Sequence, residues 1–186
     1  MSRLRIFSET GPATPLKTTH QHDDIARELN AVGVRFEKWE ATKPLSPGAS
    51  QDEVIGAYSA DIDRLKRDGG YQAVDVISLN PDHPDRAALR QKFLREHTHS
   101  EDEVRFFVAG RGLFTLHPGD KVYEVLCEKG DLIGVPDGTR HWFDMSEAPD
   151  FIAIRLFTNP QGWVANFTGS DIAERFPRLQ AESVAA

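Results

Sequence analysis

The chain has 186 residues, 39% of them hydrophobic, with eleven Phe and three Trp, which is enough apolar mass to close one core and excludes a disordered or fibrous chain. Twenty-nine acidic residues against twenty-two basic ones leave a net charge of −7; with no basic block, nucleic acid and anionic lipid are poor partners. A single cysteine, Cys127, excludes an internal disulfide and a Cys-rich zinc motif.

In chain order, Met1 to Glu9 lacks the apolar stretch of a signal peptide, so a cytoplasmic protein is expected. From Asp23 to Val32, Ile25, Leu29 and Val32 share one helical face, and Gly33 follows as a C-terminal stop. A Pro/Ser/Gly-rich loop covers Thr42 to Ala49. Ser50-Gln-Asp-Glu53 reads as a capping box opening one longer helix, with Val54, Tyr58, Ile62 and Leu65 as its stripe and Gly69-Gly70 at its end. Val74 to Leu79 reads as a strand, and Asp85 to Arg95 as a short helix with Leu89 and Phe93 facing inward.

From Glu96 the texture changes. Short runs of Val, Ile and Phe alternate with turn signals at Gly110-Arg-Gly112, Pro118-Gly119-Asp120, Lys129-Gly130-Asp131, Pro136-Asp-Gly138 and Ala148-Pro149-Asp150. This rhythm predicts antiparallel strands closing into a sandwich or barrel. A short helix is expected from Ser170 to Phe176. The longest charge-free run, 156–170, is interrupted by Asn159, Pro160 and Gly162 and cannot span a bilayer. The expected fold is mainly β with helices (α+β), one domain over 1–186: helical and strand elements in 1–95, a β-barrel in 96–157 and a polar tail in 158–186.

Seven histidines are present, and three fall in one frame. His97-Thr-His99-Ser-Glu-Asp-Glu103 places two imidazoles on one face of a strand. Glu103 shares their parity, but six straight strand residues span roughly 20 Å, so the chain must turn, and Ser100-Glu101-Asp102 is where it would. His141 follows Gly130 and Pro136-Asp-Gly138, whose punctuation delivers it from another strand. Three imidazoles and a carboxylate suit iron, nickel, manganese or copper. His20-Gln-His22 has the same spacing but runs into Asp23-Asp24 and a helix start, so it reads as a solvated cap. His83 and His117 lie beside prolines and read as surface residues.

The two blocks resemble the paired motifs of the cupin superfamily, small β-barrels (jelly rolls) with an interior metal. Gln91 stands where the first motif has Gly, and Met145 where the second usually has Asn. A closer resemblance is to the acireductone dioxygenases of the bacterial type. It rests on the run Phe93 to Val108 and on Leu126 to Ile133, His141-Trp-Phe-Asp-Met145 and Ala153 to Phe157. Gly33 to Trp39 and Asp75 to Leu79 extend it over nearly the whole chain. The resemblance implies a methionine-salvage enzyme that oxidises acireductone with O2, holding one Fe(II) or Ni(II) per chain on His97, His99, Glu103 and His141. It further implies that iron gives the 2-keto acid precursor of methionine and formate, and nickel a shorter methylthio acid, formate and carbon monoxide.

Four protein ligands on a metal preferring about six leave two positions for an enediolate, and dioxygen would then attack the substrate directly. Arg105 has the parity of Glu103 and should point inward, where its permanent charge suits a substrate dianion; the resemblance assigns it the same part. Arg155 interrupts an apolar strand and either contacts substrate or pairs with an acid. Glu96 has opposite parity to the ligands; the resemblance suggests metal loading, the residues alone a surface carboxylate. Ser100 starts the turn through which a change at the metal would reach the loop. Phe93, Phe107, Phe143 and Trp163 either wall a pocket for a methylthio tail or belong to the core, and Cys127 reads as a small buried hydrophobe. Cupin enzymes acting on another enediol or sugar, and non-catalytic ligand-sensing cupins, are the alternatives. No apolar heptad or long strand edge argues for assembly, so a monomer is expected.

Overall fold

The computed structural model describes residues 1–45 and 48–180; two residues of the expected 42–49 loop and the last six of the tail lie outside the described residues. The elements in order are β1 (Arg3–Ser8), β2 (Lys17–Thr19), α1 (His22–Asn30), β3 (Arg35–Lys38), α2 (Gln51–Ala57), α3 (Ser59–Gly69), β4 (Ala73–Leu79), α4 (Arg86–Phe93), β5 (His97–Thr98), β6 (Glu103–Leu116), β7 (Lys121–Glu128), β8 (Asp131–Val135), β9 (His141–Asp144), β10 (Phe151–Phe157), β11 (Asn166–Phe167) and α5 (Ile172–Arg175). Among the described residues, no helix is long and apolar enough to cross a membrane.

Every strand pairing is antiparallel, and β6 belongs to two sheets. One sheet runs β11-β5-β9-β6-β7-β1-β2; the other places β10 and β8 on either side of β6, with β4 beyond β10 and β3 beyond β8. The ladders do not close into a ring, so the expected barrel is an open two-sheet jelly roll. The turn expected at Gly110-Arg-Gly112 is instead a bend inside β6. Gly110 adopts φ +63°, and a Cβ there would stand 1.8 Å from the Asp150 carbonyl oxygen. Glycine therefore lets the strand swing from one sheet to the other without ending its ladder.

The core between the sheets includes Leu4, Phe107, Phe114, Val125, Ile133 and Phe143, with Ile25 and Leu29 of α1 and Phe93 of α4 reaching into it. Outside β6 and β10, Val54, Tyr58, Ile62 and Leu65 pack on Phe106 and Ile154, each such side chain stabilising the fold by roughly 1.5–3 kcal/mol. The capping box forms: Glu53 N–H donates to Ser50 Oγ, and Ser50 N–H donates to Glu53 Oε2. The expected single helix is two, because Tyr58 leaves helical geometry at φ −111°, ψ 22° while its ring stays buried edge-on against Phe106. Gly70 ends α3 in the left-handed conformation. Cys127 is fully buried, and burial pushes its thiol pKa well up.

Candidate metal centre

β5, β6 and β9 bring the histidine cluster together inside the sandwich. His97 is the register partner of His141 across β5 and β9, and β6 pairs with β9 so that Leu116 faces His141. The chain turns after His99, as the Ser100-Glu101-Asp102 tripeptide indicates, and returns Glu103 to the same pocket. All four side chains are at most 2% exposed.

Each imidazole is fixed by a main-chain carbonyl two residues away. Nδ1 of His97 lies 2.7 Å from Arg95 O, Nδ1 of His99 2.7 Å from Glu101 O, and Nδ1 of His141 2.7 Å from Thr139 O. An Nδ1–H donated to a carbonyl sets the tautomer and leaves Nε2 with a free lone pair, the arrangement a metal-ligating histidine uses. Glu103 is divided between two tasks. Its Oε1 accepts from Arg105 Nε at 3.1 Å and Nη2 at 2.8 Å, whereas Oε2 stands 3.1 Å from His99 Nε2 in an alignment that makes no hydrogen bond. His99 Nε2 and Glu103 Oε2 are therefore both buried without a hydrogen-bond partner among the described residues. Stranded atoms of this kind are rare in folded proteins and require an explanation.

His99, Glu103 and His141 offer ligand atoms all within 4.8 Å of one another, a three-residue group able to hold a metal ion. His97 stands outside that tight group, with its ring centroid 4.4 Å from that of His141 and 6.4 Å from that of His99. The nitrogen and oxygen donors, the anchored tautomers and the two stranded atoms fit a divalent transition metal. The electrostatics agree. Burial holds the pKa of His97 down and that of His141 well down, the latter reinforced by the neighbouring imidazoles, so both rings stay neutral and able to ligate. Burial acts against charge on His99 too, but the negative charge of the adjacent Glu103 carboxylate outweighs it and raises its pKa. Burial would raise Glu103, yet Arg105 and His99 hold it well below the usual carboxylate range.

Arg105 points inward as expected. It is 2% exposed, lies over the rings of Phe114 and Phe143 at 4.7 and 4.6 Å, and keeps Nη1 without a partner among the described residues. Arg155, its register partner on β10, does pair with an acid: Nε and Nη2 donate to Asp75 at 2.8 and 2.7 Å. Its Nη1 is also buried and without a partner among the described residues. A cavity of about 290 Å³ opens beside these groups, lined among others by Ile77, Leu89, Phe93, Arg155 and Trp163. Trp163 packs edge-on against His97 at 5.5 Å and Phe93 at 5.7 Å. Phe143 meets both Phe93 and Phe107, so the four aromatics line up from cavity to core.

Three expectations fail. His117 is not a surface residue but 3% exposed, and Glu96 is not a surface carboxylate but 2% exposed; the two are bonded to each other at 2.8 Å. Ser100 is exposed, its Oγ 3.4 Å from Glu101 Oε2, and it touches no ligand. His22, the first residue of α1, is half-buried and stacks on Phe36 at 5.1 Å instead of forming a solvated cap. Asp75 was missed, since nothing local marks it as the partner of an arginine eighty residues on.

A model of the ARD/ARD′ family matches residues 3–165. The chain is 64% identical over 178 residues to the acireductone dioxygenase of Stenotrophomonas maltophilia strain K279a, covering 96% of each chain. It is 64% identical over 180 residues to that of Pseudomonas aeruginosa strain UCBPP-PA14, covering 97% of this chain and 99% of the relative. Its fold superposes with a TM-score of 0.77 on a solved acireductone dioxygenase from Bacillus anthracis with a cadmium ion in its active centre, at 32% identity over 90% of this chain and 98% of that one.

Proposed function

The chain belongs to the ARD/ARD′ family, and from that premise we propose that it is a metal-dependent dioxygenase of methionine salvage that cleaves acireductone with O2. The observation that carries the reading is the set of buried imidazoles, each anchored through Nδ1, gathered around a carboxylate whose second oxygen is left unpaired. His97, His99, Glu103 and His141 would hold one Fe(II) or Ni(II) per chain. When bound, the ion supplies Lewis-acid charge that favours an anionic enediolate.

The chain's own groups do the rest. Arg105 orients Glu103 through Oε1 and keeps an N–H for the second negative charge of a substrate dianion, in a buried setting where such a charge-assisted bond is strong. Arg155, steadied by Asp75, offers a further N–H and positions the polar end of the substrate. Ile77, Leu89, Phe93 and Trp163 form the apolar side of the cavity and would take the methylthio tail while excluding water. Glu96 supports the ligand strand from behind and so assists metal loading, and Ser100 sits where a change at the metal is passed to the loop.

The same ligands serve both metals, so iron would give 2-keto-4-methylthiobutyrate and formate, and nickel 3-methylthiopropionate, formate and carbon monoxide. We read 1–186 as one working domain, monomeric and cytoplasmic, with no nucleic-acid partner, in keeping with its net charge of −7. The test uses metal-stripped protein reloaded separately with Fe(II) and Ni(II) and given acireductone in aerated buffer, with organic acids and carbon monoxide quantified. Metal-dependent products are expected. Metal uptake with acireductone lost only at its background oxidation rate would end the substrate assignment.

A further inference from the structure

Buried polar groups that hold no metal ligand atom converge on the far side of β5. Glu96 Oε2 lies 2.8 Å from His117 Nδ1, and Oε1 accepts from Thr168 Oγ1 at 2.8 Å. The Thr168 amide donates to the Glu96 carbonyl at 3.1 Å. The second nitrogen of His117, Nε2, stands 3.0 Å from Oε2 of Glu9, whose side chain is 43% exposed. The main chain adds its own ties: His117 N–H donates to Arg140 O at 2.8 Å, and Glu9 N–H to Asp120 O at 3.0 Å.

The His117 imidazole thus bonds the carboxylate of the residue before His97, while its main-chain N–H bonds the carbonyl of the residue before His141. Glu96 precedes His97, Arg140 precedes His141, and Leu116, the residue before His117, is the register partner of His141. Through Thr168 the tie extends to β11, whose Phe167 ring lies 5.9 Å from that of His97. A buried carboxylate is tolerated where its oxygens are bonded. Without His117, Glu96 Oε2 loses its partner, and the nearest relief is a shift of β5 that carries His97 with it.

We infer that the His117 side chain is a positioning group for the metal centre: acting through Glu96, it fixes His97 on β5 relative to His141, whose neighbour Arg140 the His117 main chain already holds, and so sets how tightly the ion is held. This rests on the metal reading above. The test measures Ni(II) release from the loaded protein to excess chelator, together with the ligand-field spectrum of the Co(II)-substituted form. His117→Leu is expected to release nickel about tenfold faster or more and to shift the cobalt spectrum. His117→Gln, whose amide still donates to Glu96, should recover most of both. Leu65→Ala, a cavity in the helix-covered layer, serves as the control for thermal destabilisation and should move neither. Glu9→Ala leaves the core intact and should speed release about twofold or more, which decides the matter if His117→Leu does not fold. Release and spectrum unchanged in both the His117 and Glu9 variants, or release from His117→Leu no faster than from Leu65→Ala, overturns the positioning role alone. A wild-type protein that takes up no nickel overturns the metal reading and this role with it.

Discussion

The two sides of β5 hold the same residue types in opposite hydrogen-bonding states. On the inner side, His99 and Glu103 stand 3.1 Å apart, and His99 Nε2 and Glu103 Oε2 have no hydrogen-bond partner among the described residues. On the outer side, Glu96 and His117 lie 2.8 Å apart with both carboxylate oxygens and both ring nitrogens partnered. Burial is the same on both sides, so it does not separate a site from a support. What separates them is the polar atom left over: folded proteins satisfy buried groups unless something else is to satisfy them. The inner side leaves two polar atoms unsatisfied among the described residues, as the proposed metal centre requires, whereas the outer pair has every polar side-chain atom bonded.

The largest expected effect comes from breaking the incomplete side. His141→Ala should cut metal content and turnover together, by on the order of 100-fold or more, above the cost of losing an outer partner alone. Metal analysis and initial rates check it, and full activity with normal metal would remove His141 from the site. Next, Arg105→Ala should keep the metal while lowering kcat/KM by about 10²–10³-fold, as for loss of one buried donor to a developing anion. Loss of metal as well would make Arg105 a support, moving it to the other half of the comparison.

A pH effect sharpens the contrast in the metal-free protein. Burial depresses His97 and His141 below their ordinary 6.5, so the unfolded chain binds protons the folded one refuses, and stability falls as pH drops below about 6.5. His99 is raised and acts oppositely, contributing stability below 6.5 that is lost as pH rises through its folded pKa. Two depressed imidazoles against one raised leave a net loss on acidification. Urea midpoints of the metal-free protein at about pH 7.5 and about pH 5.5 should show it, and His141→Gln should flatten the slope by up to about 1.4 kcal/mol per pH unit. An unchanged slope would mean that the buried imidazoles take up protons in the folded state. The smallest effect is at the exposed turn: Ser100→Ala should change kcat/KM by no more than about twofold, and a larger loss would show that the loop is coupled to the centre more tightly than its one long contact suggests.

Much of this is legible in the sequence, and the boundary is physical. Strand parity aligns His97 with His99, and the need for a turn between His99 and Glu103 follows from strand length alone; both are local. The capping box at Ser50 and the stop at Gly33 are local too. His117 was misread because the residues that bury and bond it, Glu96 and Glu9, lie 21 and 108 positions away, and a histidine beside a Pro-Gly turn carries no local sign of them. The Arg155–Asp75 pair spans eighty positions, so the sequence marked the arginine as anomalous and left its partner open. Gly110 failed differently: a left-handed glycine signals a change of direction, and only the facing Asp150 carbonyl determines that the strand bends and continues rather than ends. The break at Tyr58 has the same origin, since the stripe of Val54, Tyr58, Ile62 and Leu65 is shared by a straight helix and a kinked one.

The most direct test of the ligand set is a crystal structure of the nickel-loaded protein with anomalous data at the nickel edge. The expected result is one nickel bonded by Nε2 of His97, His99 and His141 and by Oε2 of Glu103, with Arg105 still on Oε1. Nickel bound elsewhere, or held by His99, Glu103 and His141 with His97 left out, would contradict the four-ligand centre on which the proposed chemistry stands.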